Sequence, residues 1–226
     1  MGKKTSETRR RMIGAGIAAV LIAVVVAGFL ALSSRDTTGE VGAAPAGVTD
    51  GYTVTVGDKS APTTLTFYED PQCPICAAFE GEVADDVARA VAAGRVKVEY
   101  RVVSFLDHAS LNDYSSRAAN ALMVVQNAAG EEAFAEMHRV LYENQPAEGT
   151  AGPDDDQLVA WAVAAGADES DVREGIESGR YDQFIQNATD QMSQDGVNGT
   201  PTVLVDGDPV GGSPAAAVAA VEDIVA

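Results

Sequence analysis

The stretch Phe67-Tyr68-Glu69-Asp70-Pro71-Gln72-Cys73-Pro74-Ile75-Cys76 (FYEDPQCPIC, residues 67–76) holds both cysteines of the chain, two residues apart. Just before it, Thr63-Thr64-Leu65-Thr66-Phe67-Tyr68 is dense in β-branched and aromatic residues, the make-up of a strand. Just after it, Ala77, Phe79, Val83, Val87 and Val91 recur at helical spacing, and Gly94 stops the pattern. Val96–Val103 then reads as another strand. Strand, helix, strand is a βαβ unit, which places its two strands parallel. A cysteine pair between the first strand and the helix has three readings: a structural disulfide, half of a metal site, or a redox couple that opens and closes.

Working outward, Tyr52-Thr53-Val54-Thr55-Val56 alternates like a strand and Gly57-Asp58 breaks it. After Val103 come some 90 residues with almost no strand signal. Helical patterns fill them: Tyr114–Ala129, Glu131–Tyr142, Asp154–Ala165, Asp168–Ser178 and Tyr181–Gln194. The run Asp154-Asp155-Asp156 suits a helix start and its dipole. Gly199-Thr200-Pro201 leads into a strand, Thr202–Val205, with a hairpin signal at Asp206-Gly207 and a short return at Pro209-Val210. Ser213-Pro214 opens a last helix, Ala215–Val225. The order is βαβ, a helical block, then ββα. This is an α/β chain of thioredoxin-like layout, with a helical insertion over residues 107–195.

At this point the chain resembles the DsbA-like thiol–disulfide oxidoreductases, in particular the membrane-anchored bacterial kind. The segments that carry the resemblance are FYEDPQCPIC, SSRAANAL (115–122), AFAEMHRVLYENQP (133–146), ESGRYDQFIQNATD (177–190) and GVNGTPTVLVDG (196–207). They span the body from Tyr52 to the end. The resemblance implies a cis Thr200–Pro201 bond facing the cysteines, with Thr200 offering its backbone to an extended client. It further implies oxidation of exported proteins that carry cysteines, and a membrane redox partner that restores the disulfide. Reduction or isomerisation by the same fold is the alternative direction, and a non-catalytic binding module is the alternative class.

The chemistry of the pair follows from its position. A cysteine at a helix start meets the positive end of the dipole and free N–H groups, which favour the thiolate. Cys73 is therefore expected to be the exposed, attacking sulfur. Cys76, one turn in and partly buried, is expected to resolve the mixed disulfide. Pro74 fits the first helical position, where its missing N–H costs nothing. Ile75 offers neither charge nor side-chain hydrogen bond, so the thiolate lacks the support that a histidine would bring. Glu69 and Asp70 would raise the Cys73 pKa if their charges lay close.

The competing readings of the pair are weaker. A disulfide closing so small a ring gains little loop entropy. Zinc needs four ligands, and beyond the cysteines the histidines are only His108 and His138, both distant in sequence. Covalent haem needs histidine where Ala77 stands. No metal and no cofactor are expected. His138 and Trp161 read as packed core, and His108 as a residue near the insertion boundary, with an approach to the active site only the lesser reading.

The N-terminus is a targeting device. Lys3, Lys4, Arg9, Arg10 and Arg11 form a basic tail over residues 1–11, followed by 21 uncharged residues from Met12 to Leu32. At about 1.5 Å per residue these span roughly 30 Å, the thickness of a bilayer core. The positive-inside rule keeps the tail cytoplasmic and puts the body outside. A single transmembrane anchor over 12–32 is expected, with residues 33–50 as a flexible linker and 51–226 as the folded domain. A cleaved signal peptide ending near Ala44-Pro45-Ala46 is the competing reading. Residues 1–35 carry +5, from six Lys/Arg and one Glu, and the rest carries −24, from nine Lys/Arg and 33 Asp/Glu. A body that acidic repels phosphate backbones, so nucleic acid is excluded as a partner.

Overall fold

The computed structural model describes residues 42–49 and 51–226. The expected anchor over 12–32 lies outside them. Among the described residues no helix is long and apolar enough to cross a membrane.

Five strands form one sheet: β1 (Val54–Val56), β2 (Thr63–Glu69), β3 (Val96–Val102), β4 (Thr202–Val205) and β5 (Asp208–Val210), in the order β1-β3-β2-β4-β5. β2 and β3 run parallel from Thr63 opposite Val96 to Glu69 opposite Val102. β4 joins β2 antiparallel, with Tyr68 opposite Thr202. That last register sets the residues before Cys73 beside those after Pro201, although some 130 residues separate them in sequence. In β3 the alternation VKVEYRV places Val96, Val98, Tyr100 and Val102 inside. Phe67 packs edge-on against Phe79 and Tyr100, with ring centroids 5.2 and 5.8 Å apart.

The first strand is shorter than its alternation suggested. Gly51 and Tyr52 adopt positive φ, 82° and 62°, so the chain turns there and Thr53 bridges back to Thr49. The ladder with β3 starts only at Val54. Residues 42–49, read as the end of a linker, make specific contacts: the Ala46 N–H donates to Asn127 Oδ1, and Gln126 Nε2 donates to the Ala46 carbonyl.

Helix α1 (Pro74–Ala92) follows β2 and buries Cys76, Phe79, Val83, Val87 and Ala90. Five helices make the insertion: α2 (Tyr114–Ala129), α3 (Glu131–Glu143), α4 (Asp155–Ala164), α5 (Glu169–Glu177) and α6 (Asp182–Gln194). Small residues let α2 sit at the centre of the block, in contact with each of the other four. Its buried Asn120 donates to the carbonyls of Gly175 and Ile176 and accepts from the Tyr181 N–H, which satisfies the ends of two helices at once. Asp154 caps α4 by accepting from the Gln157 N–H at 2.9 Å. The closing helix α7 (Pro214–Val225), capped by Ser213, packs on α1. Trp161 is half-buried against the core rather than inside it.

Candidate functional site

Two elements meet at the cysteines. The turn Asp70–Cys73 is closed by the Cys73 N–H donating to the Asp70 carbonyl at 2.9 Å. Cys73 is the N-cap residue of α1, with Pro74 at the first helical position. From the other side β4 brings Thr200-Pro201, whose peptide bond is cis, as the resemblance implies. The Cys73 thiol donates to the Thr200 carbonyl at 3.4 Å. Both cysteines are free thiols.

The expected contrast in exposure is corrected. Cys73 is only 5% exposed and Cys76 0%. Tyr142, Ala77 and Leu106 pack around both, and the Thr200 carbonyl covers Cys73. The residue that faces solvent is Ile75, 46% exposed. The two sulfurs differ in electrostatics instead. Cys73 is pushed down to about 6. The largest cause is the hydrogen bond with the Cys76 thiol, helped by the Thr200 side chain and by the backbone N–H groups of Cys76 and Ile75, which together outweigh desolvation. Ile75 thus supports the thiolate through its main chain, although its side chain gives nothing. Cys76 is pushed far up, chiefly by burial, then by its hydrogen bond to Cys73 and the proximity of Glu69. At neutral pH one sulfur is a thiolate and the other keeps its proton.

The expected charge effect of Glu69 is corrected too. Burial pushes Glu69 and Glu80 up to about 8, so both are largely protonated at neutral pH. Glu69 Oε2 lies 3.0 Å from His138 Nε2. Burial holds His138 below its ordinary value, so this contact is a hydrogen bond between neutral groups rather than an ion pair. Among the described residues, Glu69, Glu80 and His138 are the group whose donor atoms, within 4.8 Å of one another, have the types and spacing of metal ligands. His138 is packed as expected, among Tyr100, Phe134 and Tyr142, but its polar partner was not foreseen. His108 sits exposed on a 3₁₀ turn, Asp107–Ala109.

Two glutamines also escaped the sequence reading. Gln72, buried, donates through Nε2 to the Pro146 carbonyl at 3.1 Å. Gln145 donates to the carbonyls of Pro71 and Cys73, both at 2.9 Å. They tie the cysteine turn to the end of α3. The ENQP run at 143–146, quoted above for its resemblance, was the available signal. On the other flank, a groove of about 420 Å³ runs past Thr200, Pro201, Val203 and Val210.

The comparisons with known proteins agree with this geometry. A family model described as thioredoxin matches residues 49–223. The disulfide bond oxidoreductase DsbG of Mycobacterium tuberculosis, solved in its reduced form, is 35% identical with a TM-score of 0.67, covering 79% of this chain and 89% of its own. Reduced DsbA of the same organism is 34% identical with a TM-score of 0.65, covering 76% of this chain and 92% of its own. The serine/threonine-protein kinase PknE of M. tuberculosis is 31% identical over 157 residues, 66% of this chain, which spans only 28% of the kinase's length. The chain belongs to the thioredoxin family, and within it has the DsbA-like form.

Proposed function

We propose that this protein is a thiol–disulfide oxidoreductase that forms disulfide bonds in exported proteins, with Cys73 as the exchanging sulfur and Cys76 as the resolving one. The observation that carries the reading is the opposite treatment of two sulfurs one helical turn apart. The Cys73 thiol is acidified to about 6 at a helix start, and the Cys76 thiol is held protonated in the interior. Oxidation of a client then runs in two displacements. A client thiolate attacks Cys73 Sγ, the Cys73–Cys76 bond breaks, and Cys76 leaves as a thiolate that takes up a proton. A second client thiolate attacks the client sulfur of the mixed disulfide and expels Cys73 as a thiolate. The client loses two electrons and the pair gains them. An acidified Cys73 is a good leaving group in the second step and stabilises the reduced form, which makes the couple oxidising.

Pro74 starts the helix that acidifies Cys73, and Thr200 beside Pro201 offers its backbone to the client strand. Residues 12–32 anchor the body outside the cytoplasm, where newly exported chains present reduced cysteines. A membrane redox partner returns the pair to the disulfide. The test mixes the oxidised protein with a reduced, unfolded client whose activity needs disulfides. Recovery of client activity, with the pair becoming reduced, is expected. A pair found reduced in cells, able only to reduce or reshuffle client disulfides, assigns the reductase or isomerase direction instead.

A further inference from the structure

Three ionisable side chains meet in the interior from three elements: Glu69 at the end of β2, Glu80 on α1 and His138 on α3. They are 1%, 6% and 3% exposed. One donor atom from each lies within 4.8 Å of the others, and Glu69 Oε2 and His138 Nε2 stand 3.0 Å apart. A carboxyl buried this deeply is ordinarily met by N–H or O–H donors. Asp70, the next residue, follows that rule: it accepts from the Gln72, Phe105 and Leu106 N–H groups and from the Ser115 hydroxyl. Glu69 Oε1 and Glu80 Oε1 break it, since neither has a hydrogen-bond partner. The charged neighbours that act on Glu80 are Glu69 and His138, with no lysine or arginine among them.

A cavity of about 360 Å³ has both Glu80 and His138 in its wall, beside Asp85, Glu132 and Glu136. Arg139, also on that wall, is taken up by Glu136 and Glu143. An acidic cavity concentrates cations, and this one brings them to two of the three donors. The donor set decides which cation fits. Calcium takes six to eight oxygen ligands, and magnesium a near-ideal octahedron of oxygens. Two carboxylates and an imidazole suit zinc, which binds both at about 2.0–2.2 Å and accepts a water as its fourth ligand. The ligands of such a tetrahedron stand roughly 3.4 Å from one another, so the donors here have at most about 1.4 Å to close.

We propose that Glu69, Glu80 and His138 form a binding site for a divalent cation of the zinc class, with the fourth position open to water from the cavity. The charges balance, because two carboxylates and a neutral imidazole cancel a doubly charged ion. Carboxyls that are protonated in the metal-free protein release their protons as the cation binds. The two oxygens without partners lie on the carboxyls that the cation engages. The site uses neither cysteine, although Glu80 stands one helical turn beyond Cys76. It joins β2, α1 and α3, the elements that meet behind the cysteine turn.

The experiment titrates zinc sulfate, and separately cobalt(II) chloride, into the full-length protein in detergent after treatment with a chelator. Cys73 and Cys76 are first oxidised to their disulfide, so that neither sulfur can act as a ligand. Calorimetry should find one zinc site per chain, and cobalt should give the visible absorbance of a four-coordinate ion. Glu80→Gln and His138→Asn should each weaken zinc binding at least roughly tenfold, since even the outer partners of a metal contribute that much. Glu82→Gln, which neutralises an exposed acid of α1, should leave the affinity unchanged, and excess calcium should not displace zinc. Zinc should also raise the Tm of the parent but not of Glu80→Gln. If one variant does not fold, the other decides. No zinc bound by the oxidised parent, or binding that survives in the folded variants, overturns the site. Zinc that binds only to the reduced protein belongs to the sulfurs and overturns it too. A six-coordinate cobalt spectrum, displacement by calcium, or an equal loss in Glu82→Gln marks a surface acidic cluster instead and overturns it likewise.

Discussion

Glu69 and Asp70 are neighbours in sequence, both buried, and they face opposite sides of the same turn with opposite results. Asp70 is surrounded by donors, and its four hydrogen bonds oppose the rise that burial causes, though its pKa is still raised. Glu69 has His138 and Glu80 as company, with one carboxyl oxygen left without a partner, and it takes up a proton instead. Burial alone does not say whether a carboxyl is charged; the number of N–H and O–H groups aimed at it does. The turn that carries Cys73 is thereby held on one side by a carboxyl that binds backbone N–H groups and rests on the other on neutral acids. Neutral acids next to the cysteines are compatible with a thiolate on Cys73, which two nearby charges would oppose.

The largest effect that would break this contrast is at Asp70. Asp70→Ala leaves the buried Ser115 hydroxyl and Gln72 N–H, and the part-buried N–H groups of Phe105 and Leu106, without their acceptor. At about 1–3 kcal/mol for each unsatisfied buried group, a loss of at least roughly 3 kcal/mol is expected in denaturant unfolding. A loss under about 1 kcal/mol would mean that water replaces the carboxylate without cost.

Glu69→Gln gives an intermediate effect with a distinctive pH dependence. Folding raises the Glu69 and Glu80 carboxyls from near 4.5 to about 8, so the folded protein keeps protons that the unfolded chain releases. The stability tied to those protons is complete below about pH 4.5 and is lost as the pH rises through about 8. A tenfold change in proton affinity corresponds to about 1.4 kcal/mol. Glu69→Gln removes one of the two groups, so its stability should fall less steeply than the parent's between about pH 6 and pH 9, ending at least 1 kcal/mol or so ahead. Parallel curves in urea unfolding would show that Glu69 is already ionised at neutral pH.

Asp154 supplies the smallest test, since its exposed carboxylate accepts a single N–H at the start of α4. Asp154→Ala should cost about 1 kcal/mol, and Asp154→Asn close to nothing, because asparagine caps as well. If Asp154→Asn costs as much as Asp154→Ala, charge rather than the hydrogen bond does the work even at the surface.

The sequence made the order of elements readable because β2, β3 and the helices have clear periods, and because the paired cysteines stand where a strand gives way to a helix. The meeting of Thr200 with Cys73 was reachable only through the resemblance, since no local pattern announces that two such distant segments adjoin. Contacts across the insertion stayed hidden for the same reason. His138 lies on an apolar helical face and reads as core until Glu69, 69 residues away, is placed beside it. Gln72 and Gln145 look like surface residues, because nothing in their neighbours shows that bare carbonyls await them. Cys73 is less exposed than a helix start suggests, because Leu106 from the loop after β3 and Tyr142 from the insertion close over it.

The two sulfurs are held in opposite protonation states, with Cys73 carrying the charge. The most direct test of this is a pH titration of thiolate absorbance on the reduced protein, repeated on Cys73→Ser and Cys76→Ala. One transition near pH 6 is expected, and it vanishes in Cys73→Ser. In Cys76→Ala that transition should move to a higher pH, roughly tenfold lower in proton concentration, because the thiol that most stabilises the Cys73 thiolate is gone. A first transition near 9 in the parent, or one near 6 that survives in Cys73→Ser, would contradict it.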